Sequence, residues 1–183
     1  MATQREHEHS VARRPLTDED LLKLVAGGDG FAFGLLAERL APRLKRVLFR
    51  LGLTEAEVED AVQDALIDMW RGSAGFRGRS TVSTWACRIA LNRGLSALRT
   101  RRVDRPWQQV AVADAEAAWE SRRQAEAVRE AIMGLPTRLR AVIVLREYEG
   151  FPYRSIAQIL GIPIGTVMSR LHEARARLRR RLA

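Results

Sequence analysis

The sequence of 183 residues is poor in the side chains that form crosslinks and hold metals, since it has one cysteine and three histidines. A single cysteine, Cys87, excludes an intrachain disulfide and a cysteine-rich metal site. His7 and His9 lie in a polar N-terminal segment, whereas His172 is far away along the chain. The histidines therefore form no ligand set, and we expect neither a metal nor a cofactor.

Long apolar runs are also missing. No uninterrupted apolar stretch approaches the roughly 20 residues of a membrane-spanning helix. The N-terminus lacks the apolar core of a signal peptide. No segment alternates polar and apolar residues with a period of two, which is the pattern of a half-buried strand. We therefore expect a cytoplasmic, all-α protein without membrane insertion.

Catalytic motifs are lacking as well. The glycine-rich segment 72–78 has no Lys-Ser/Thr of a phosphate-binding loop. Asp60, Asp64 and Asp68 recur every four residues, which is typical of a solvated helix face. Such carboxylates make no metal or acid–base site without convergent partners. Ser, His and Cys form no nucleophile arrangement, so we expect no catalytic residues and a protein that is not an enzyme.

What the chain has in excess is arginine. Its 31 basic residues include only two lysines, and they outnumber 22 acidic residues to give a net charge of +9. This balance favours a polyanionic partner, with nucleic acid ahead of an anionic membrane. Arginine suits bidentate contacts to phosphate and guanine. A coding bias toward arginine explains the excess equally well.

The segment 153–171 predicts a helix-turn-helix. Gly161 lies where a first helix would end, because glycine enters the left-handed conformation without a Cβ penalty. Pro163 suits the start of a second helix. Apolar residues recur at helical spacing before and after this turn: Ile156, Ala157 and Leu160, then Val167, Leu171, Ala174 and Leu178.

The other face of that second helix is polar and basic. Thr166, Ser169, Arg170 and Arg177 are side chains that a recognition helix offers to a major groove. Residues 163–183 contain six arginines and one acid, Glu173. The alternative interpretation is a solvated helical hairpin within an all-α core.

The N-terminal half predicts four helices, at about 18–26, 31–51, 55–71 and 82–102. Thr17 and Thr54 begin capping sequences, and Ser80 or Thr81 can cap the fourth helix. Pro42 should kink the second helix or force a local adjustment. The third helix carries six acids and no base before its end. From residue 71 up to Asp104, by contrast, every charged residue is an arginine. This segregation indicates two partners, a basic protein surface and a nucleic-acid strand.

We therefore predict two small helical domains joined by a flexible linker, the C-terminal domain ending in the helix-turn-helix. A flexible segment at 1–16 precedes the first domain at 17–102. A linker at 103–119 leads to the second domain at 120–183. There a helical block runs from near Trp119 to Gly134-Leu-Pro136, and a helix at about 138–149 leads into the helix-turn-helix. Trp70 and Trp85 are expected in the core, because tryptophan is usually largely buried.

Three segments, at 59–70, 76–92 and 161–171, resemble the extracytoplasmic-function (ECF) sigma factors, the small two-domain promoter-specificity subunits of bacterial RNA polymerase. Leu135-Pro136 also matches, and the resemblance covers about residues 18–182. It implies a region-two domain at 17–102, which binds core polymerase and melts the minus-ten element, and a region-four domain at 120–183, which reads the minus-thirty-five element. The implied partners are core RNA polymerase, promoter DNA and an anti-sigma factor.

The resemblance also implies site residues. Those for core polymerase are Asp60, Gln63 and Asp64. Those for the minus-ten element, where a flipped base would be captured, are Phe76, Arg77, Arg79, Ser80, Thr84, Trp85, Arg88 and Asn92. Those for the minus-thirty-five element are Thr166, Met168, Ser169, Arg170, His172 and Glu173.

The chain departs from the family pattern at Ser96, often Asp, at Ser155, often Glu, and at Glu173, often basic. These changes affect the promoter sequence that is read, because an acid at such a position can accept from cytosine N4.

Two other functions compete with the sigma factor. A stand-alone helix-turn-helix regulator explains the C-terminal half and the charge, but neither the acidic helix nor the second basic domain. A nuclease or nucleotide-binding enzyme predicts metal- or nucleotide-dependent thermal stabilisation, which we do not expect.

Overall fold

The structure is a computed structural model that describes residues 15–100 and 119–183, with side chains from 123 onward in the second range. Within these ranges the chain is helical and has no strand, so the all-α prediction is confirmed. The predicted flexible segment at 1–16 and linker at 103–119 lie outside the described residues, apart from the last residues of each. The helices are α1 (Asp18–Ala26), α2 (Gly30–Arg50), α3 (Glu55–Gly72), α4 (Val82–Thr100), α5 (Trp119–Met133), α6 (Thr137–Ile143), α7 (Tyr153–Leu160) and α8 (Ile164–Leu182).

Short-range hydrogen bonds define where the first helices begin. The backbone N–H of Asp20 donates to Thr17 Oγ1 at 3.1 Å, and the Asp20 carboxylate accepts from the Thr17 N–H in return. Thr54 makes the same reciprocal pair with Glu57 at the start of α3. At the start of α4, the backbone N–H of Thr84 donates to Thr81 Oγ1 at 3.1 Å. The predicted capping sequences are therefore present, and Thr81 is the capping residue of α4.

Helix α2 runs through Pro42 without interruption. The proline is exposed, so its ring faces away from the core that the helix buries. A 3₁₀ turn, Ser73–Gly75, leads from α3 into the loop before α4. A π-helical segment, Val144–Tyr148, continues α6, so the helix predicted at 138–149 is present with a wider final turn.

The N-terminal half is a bundle of α1 to α4 around a leucine-rich core. Helices α2 and α4 approach closely at Gly94, where an added Cβ would lie 2.4 Å from Leu48 Cδ2. The core prediction for Trp70 is wrong, because this side chain is 38% exposed. The neighbouring Met69 takes the buried position, and successive helical residues point about 100° apart. Trp70 instead makes an edge contact with Phe33, their ring centroids 5.2 Å apart.

The C-terminal half contains the predicted helix-turn-helix, formed by α7 and α8. Gly161 ends α7 in the left-handed conformation, with φ 65° and ψ 35°. The core contact of α7 is made by Ile156 and Ile159, whereas Leu160 is half-buried. Val167 and Leu171 pack beneath them from α8. No helix in the described ranges is long and apolar enough to cross a bilayer.

The two halves pack directly against each other. Helix α4 of the first half lies against α7 of the second. The Gln158 side-chain amide donates to the carbonyl oxygen of Arg79 at 3.2 Å. Arg140 donates to the carbonyl oxygen of Leu51 at 2.7 Å. The first helix of the helix-turn-helix therefore touches the loop before α4.

Candidate functional site

The outer face of α3 is the acidic surface predicted for polymerase. Asp60, Gln63 and Asp64 are all exposed on it. Asp68 differs from Asp64 in how closely Arg93 of α4 engages it: Arg93 donates to the Asp68 carboxylate through Nε at 2.8 Å, whereas its Nη1 lies 3.9 Å from Asp64. This hydrogen bond, more than the nearby charges, raises the pKa of Arg93. Asp60 and Asp64 are therefore exposed acids of this face, whereas Asp68 is tied to Arg93.

Two exposed apolar side chains extend this acidic surface toward the end of α3. Ile67 is 40% exposed and Trp70 is 38% exposed. Positions 60, 63, 67 and 70 follow one another at the three- and four-residue spacing that aligns side chains along a helix face. The sequence did not predict this extension, because Trp70 was expected in the core and Ile67 was given no role. An apolar residue placed three or four positions beyond an acidic row was the available signal.

The loop between α3 and α4 combines aromatic rings with exposed arginines. Phe76 packs on Trp85, their ring centroids 5.2 Å apart. Arg77 and Arg79 are exposed on either side of Gly78, which has φ 65°. A cleft of about 440 Å³ lies beneath the loop, where helix α1 faces it. Its lining includes Leu22, Lys23, Ala26, Ser73, Phe76 and Arg77.

The contribution of α1 to this cleft was not predicted, because the sequence separates α1 from the loop by about fifty residues. An apolar floor beside cationic side chains suits an unstacked base that carries a phosphate.

Helix α4 divides its predicted DNA-contacting residues between surface and interior. Arg88 and Asn92 are exposed one turn apart, and Trp85 is half-buried one turn before them. Ser80 is half-buried in the loop. Thr84 is 2% exposed, and its Oγ1 accepts a hydrogen bond from Thr81 Oγ1 at 2.9 Å. The structure thus places Thr84 in the capping interactions of α4 and not on the surface that the other residues form.

The second helix of the helix-turn-helix, α8, presents its polar face outward. Met168, Ser169 and His172 are exposed, Met168 at 55%. The remaining predicted residues of this face, Thr166, Arg170 and Glu173, are half-buried. Glu173 pairs with Arg177 one turn later at 2.8 Å. The most accessible side chains of this face are therefore Met168, Ser169 and His172, with Thr166, Arg170 and Glu173 partly accessible beside them.

Cys87 is buried in the N-terminal half and has no accessible thiol. Burial raises the pKa of this thiol from 9.0 to about 12. The thiolate that reacts with oxidants and metals is disfavoured there. Among the residues that the structure describes, no three His, Cys, Asp or Glu side chains converge in a way that could hold a metal ion.

Comparison with protein families gives two matches that divide the chain. The family model "Sigma-70 region 2" matches residues 36–103. The family model "Sigma-70, region 4" matches residues 125–178. The first match contains the acidic surface and the loop, and the second contains the helix-turn-helix.

Curated relatives match over nearly the whole chain. The ECF RNA polymerase sigma factor SigM of Mycobacterium tuberculosis is 37% identical over 173 residues, which cover 93% of this chain and 87% of SigM. The ECF RNA polymerase sigma-E factor of Escherichia coli is 34% identical, with 87% of this chain and 91% of that protein covered.

Two solved structures are also similar to most of this chain. CnrH, in complex with the cytosolic domain of CnrY, is similar with a TM-score of 0.69 and 28% identity, over 88% of this chain and 94% of CnrH. RpoE, in complex with the anti-sigma factor NepR from Bartonella quintana, has a TM-score of 0.67 and 28% identity, over 82% of this chain and 96% of RpoE.

Proposed function

Because the chain belongs to the ECF family of RNA polymerase sigma factors, we propose that it binds bacterial core RNA polymerase and directs promoter-specific transcription initiation. Its two halves read the two promoter elements, and it acts without catalysis, as a binding subunit in the cytoplasm. The observation that carries the proposal is the presence, in one chain, of an acidic surface, an arginine- and aromatic-bearing loop and an open recognition helix. A stand-alone regulator needs only the third of these.

The acidic surface of α3 docks on a basic surface of core polymerase. Asp60, Gln63 and Asp64 supply the exposed polar contacts, and complementary charge would steer the encounter. Ile67 and Trp70 supply apolar area beside them. This mixture of an apolar patch and a charged rim is what protein interfaces use.

The loop and α4 capture the non-template strand of the minus-ten element. Arg77, Arg79 and Arg88 follow phosphates, and Asn92 lies on the same side of α4 as Arg88. The cleft between α1 and the loop accepts one unstacked base beside Phe76. Strand separation is unfavourable by itself, so the protein offsets it by holding the separated strand on stacking and phosphate contacts.

The minus-thirty-five element is read by α8 in the major groove. Ser169 and His172 are exposed on α8 and Arg170 is half-buried, and these three side chains contact base edges in this proposal. Each half then binds DNA weakly, and the polymerase that holds both halves raises their effective concentration.

An anti-sigma factor is the remaining partner of this proposal. CnrH and RpoE, whose folds this chain shares, were solved with CnrY and with the anti-sigma factor NepR, respectively. Those complexes support the inference that a protein of this kind binds the chain as well.

The proposed function is tested by run-off transcription with core polymerase on a promoter library. We expect transcripts from a narrow set of promoters with core, and little specific DNA binding by the protein alone. The variant Asp60→Arg/Asp64→Arg should reduce affinity for core at least tenfold, since two favourable charges become repulsive. Glu38→Arg/Glu130→Arg makes the same charge change at exposed positions elsewhere, and it should bind core normally. Tight, specific binding to duplex DNA without core would instead favour the stand-alone regulator.

A further inference from the structure

The contact between the two halves is centred on one buried carboxylate, that of Glu149. It follows the π-helical segment of the C-terminal half, and its side chain is 3% exposed. Three arginines of α2, in the N-terminal half, surround it. The distances to its carboxylate oxygens are 3.2 Å from Arg43 Nε, 3.6 Å from Arg46 Nη2 and 3.1 Å from Arg50 Nη1.

Two of these arginines, Arg43 and Arg50, make further contacts, most of them across the interface. Arg43 also donates to the backbone carbonyl of Glu149, and to Ser83 Oγ on α4 at 3.0 Å. Its guanidinium lies over the Phe151 ring, 4.1 Å from the centroid. The guanidinium of Arg50 lies 4.6 Å from the centroid of the Tyr148 ring. The carboxylate is thus compensated by charge and by hydrogen bonds, and the two rings hold Arg43 and Arg50 in place.

A second contact specifies the same arrangement of the halves. Arg140 reaches from α6 to the carbonyl of Leu51, and burial lowers the pKa of this guanidinium. Gly52, with φ 97°, lies against it, so that an added Cβ would be 2.7 Å from Arg140 Nη1 and from Met133 Cε. The contacts at Glu149 and at Arg140 together indicate one defined closed arrangement, not a loose encounter of two domains.

In the closed arrangement the two DNA-reading surfaces are too close together to reach both promoter elements. The minus-ten and minus-thirty-five elements are about 25 base pairs apart, which is about 85 Å of duplex. In the structure Gln158 of the helix-turn-helix bonds to Arg79 of the minus-ten loop. The recognition helix α8 has 19 residues and is only about 28 Å long. The two reading surfaces therefore cannot engage both elements until the halves separate.

We propose that Glu149 and its three arginines hold the free protein in a closed, promoter-incompetent arrangement, and that breaking this contact is a step in forming the active polymerase complex. This inference rests on the proposed function, because it assumes that both halves read one promoter. The contact is bistable in chemical terms. A buried carboxylate tolerates full compensation or full hydration, and the loss of one partner leaves an uncompensated charge that favours opening.

Closure lowers the apparent affinity for every state that requires opening. If only a fraction of molecules is open, the apparent dissociation constant of the open-state complex rises by the inverse of that fraction. Weakening the cluster should therefore make the protein a stronger initiator at limiting concentration. Most substitutions of buried charges are expected to impair a protein, so this direction of effect is diagnostic.

The test uses the full chain with Glu149→Gln, Arg43→Gln, the double variant, and Glu147→Gln as matched control. Glu147 is exposed and pairs with Arg175 inside the C-terminal half, so its change leaves the interface intact. Two quantities are measured: the radius of gyration of the free protein by small-angle X-ray scattering, and the concentration of sigma factor that gives half-maximal open complex with core. Circular dichroism checks that each variant is folded, and the two single variants lie in different halves so that one can replace the other.

We expect both single variants to enlarge the radius of gyration by roughly a tenth or more, and to lower the half-maximal concentration several-fold. The double variant should add little to either, because the residues act through one contact. The control should behave as the unmodified chain. Unchanged dimensions of folded Glu149→Gln and Arg43→Gln overturn the proposal, and so does an expansion that leaves the half-maximal concentration unchanged. If the unmodified chain gives no transcript with core, the proposed function fails, and the scattering still decides whether the cluster closes the molecule.

Discussion

The two candidate DNA surfaces are built in opposite ways. In the C-terminal half, the proposed contact residues lie on one helix, α8, whose buried side is anchored by Val167 and Leu171. In the N-terminal half they are spread over a loop, the helix after it and a cleft to which α1 contributes. A rigid helix matches the regular major groove of a duplex. A loop with a cleft matches a strand that has left the duplex. This difference supports the proposal that one half reads duplex DNA and the other captures a separated strand.

Removal of the loop arginines should give the largest effect, and it separates the two assignments. We expect Arg77→Ala/Arg79→Ala to reduce open-complex formation about a hundredfold and to lower the salt dependence of binding by about two charges. Binding to a pre-melted template should fall as well, because the loss lies in strand capture. The control Arg123→Ala/Arg138→Ala removes two exposed arginines outside both surfaces. An unchanged rate on duplex promoters would show that the loop does not hold the strand.

A substitution on α8 should act at a different step. Arg170→Ala is expected to weaken holoenzyme binding by about 1–3 kcal/mol on promoters with the preferred minus-thirty-five element. On promoters with that element scrambled, the variant and the unmodified protein should bind alike. The comparison is made by filter binding across both promoter sets. An equal loss on all sequences would assign Arg170 to a phosphate and would weaken the contrast between the halves.

Alanine substitutions at two glycines allow the packing of the two halves to be compared. Gly94→Ala introduces a Cβ 2.4 Å from Leu48 Cδ2, and we expect a loss of about 1–3 kcal/mol in the free energy of unfolding. Gly165→Ala lies in α8 with nothing within 4 Å, and a gain of up to about 1 kcal/mol is expected from helix propensity. Urea denaturation measures both. Equal effects of the two substitutions would contradict the close packing of α2 and α4 at Gly94.

The smallest effect concerns the buried thiol of the N-terminal half. Because burial raises the pKa of Cys87 from 9.0 to about 12, the folded state keeps its proton when the unfolded chain has lost it. The stability from this group is complete below pH 9 and declines as pH rises toward 12, by about 1 kcal/mol at pH 10. The difference in unfolding free energy between the unmodified chain and Cys87→Ala should therefore shrink between pH 8.5 and 10. A constant difference would contradict the assigned burial.

The helices were predictable because their signals are local. Capping pairs such as Thr54 with Glu57 lie three residues apart, and Gly161 ends a helix through its own backbone conformation. Burial was less predictable at the edges of helices. Trp70 and Met69 are adjacent and both apolar, so the sequence does not say which one faces the core. Ile159 and Leu160 are likewise adjacent and apolar, and the structure buries Ile159 in the core of α7.

Sequence alone determined the all-α class, the helix order, the helix-turn-helix and the separation of acidic from basic segments, because each follows from residues within one or two helical turns. Tertiary structure decided which charges are available to partners. Arg93 takes Asp68 out of the acidic surface, Thr84 turns inward, and Glu149 is enclosed by arginines about a hundred positions earlier in the chain. Such pairings depend on which helices pack together, and short-range sequence patterns do not determine this.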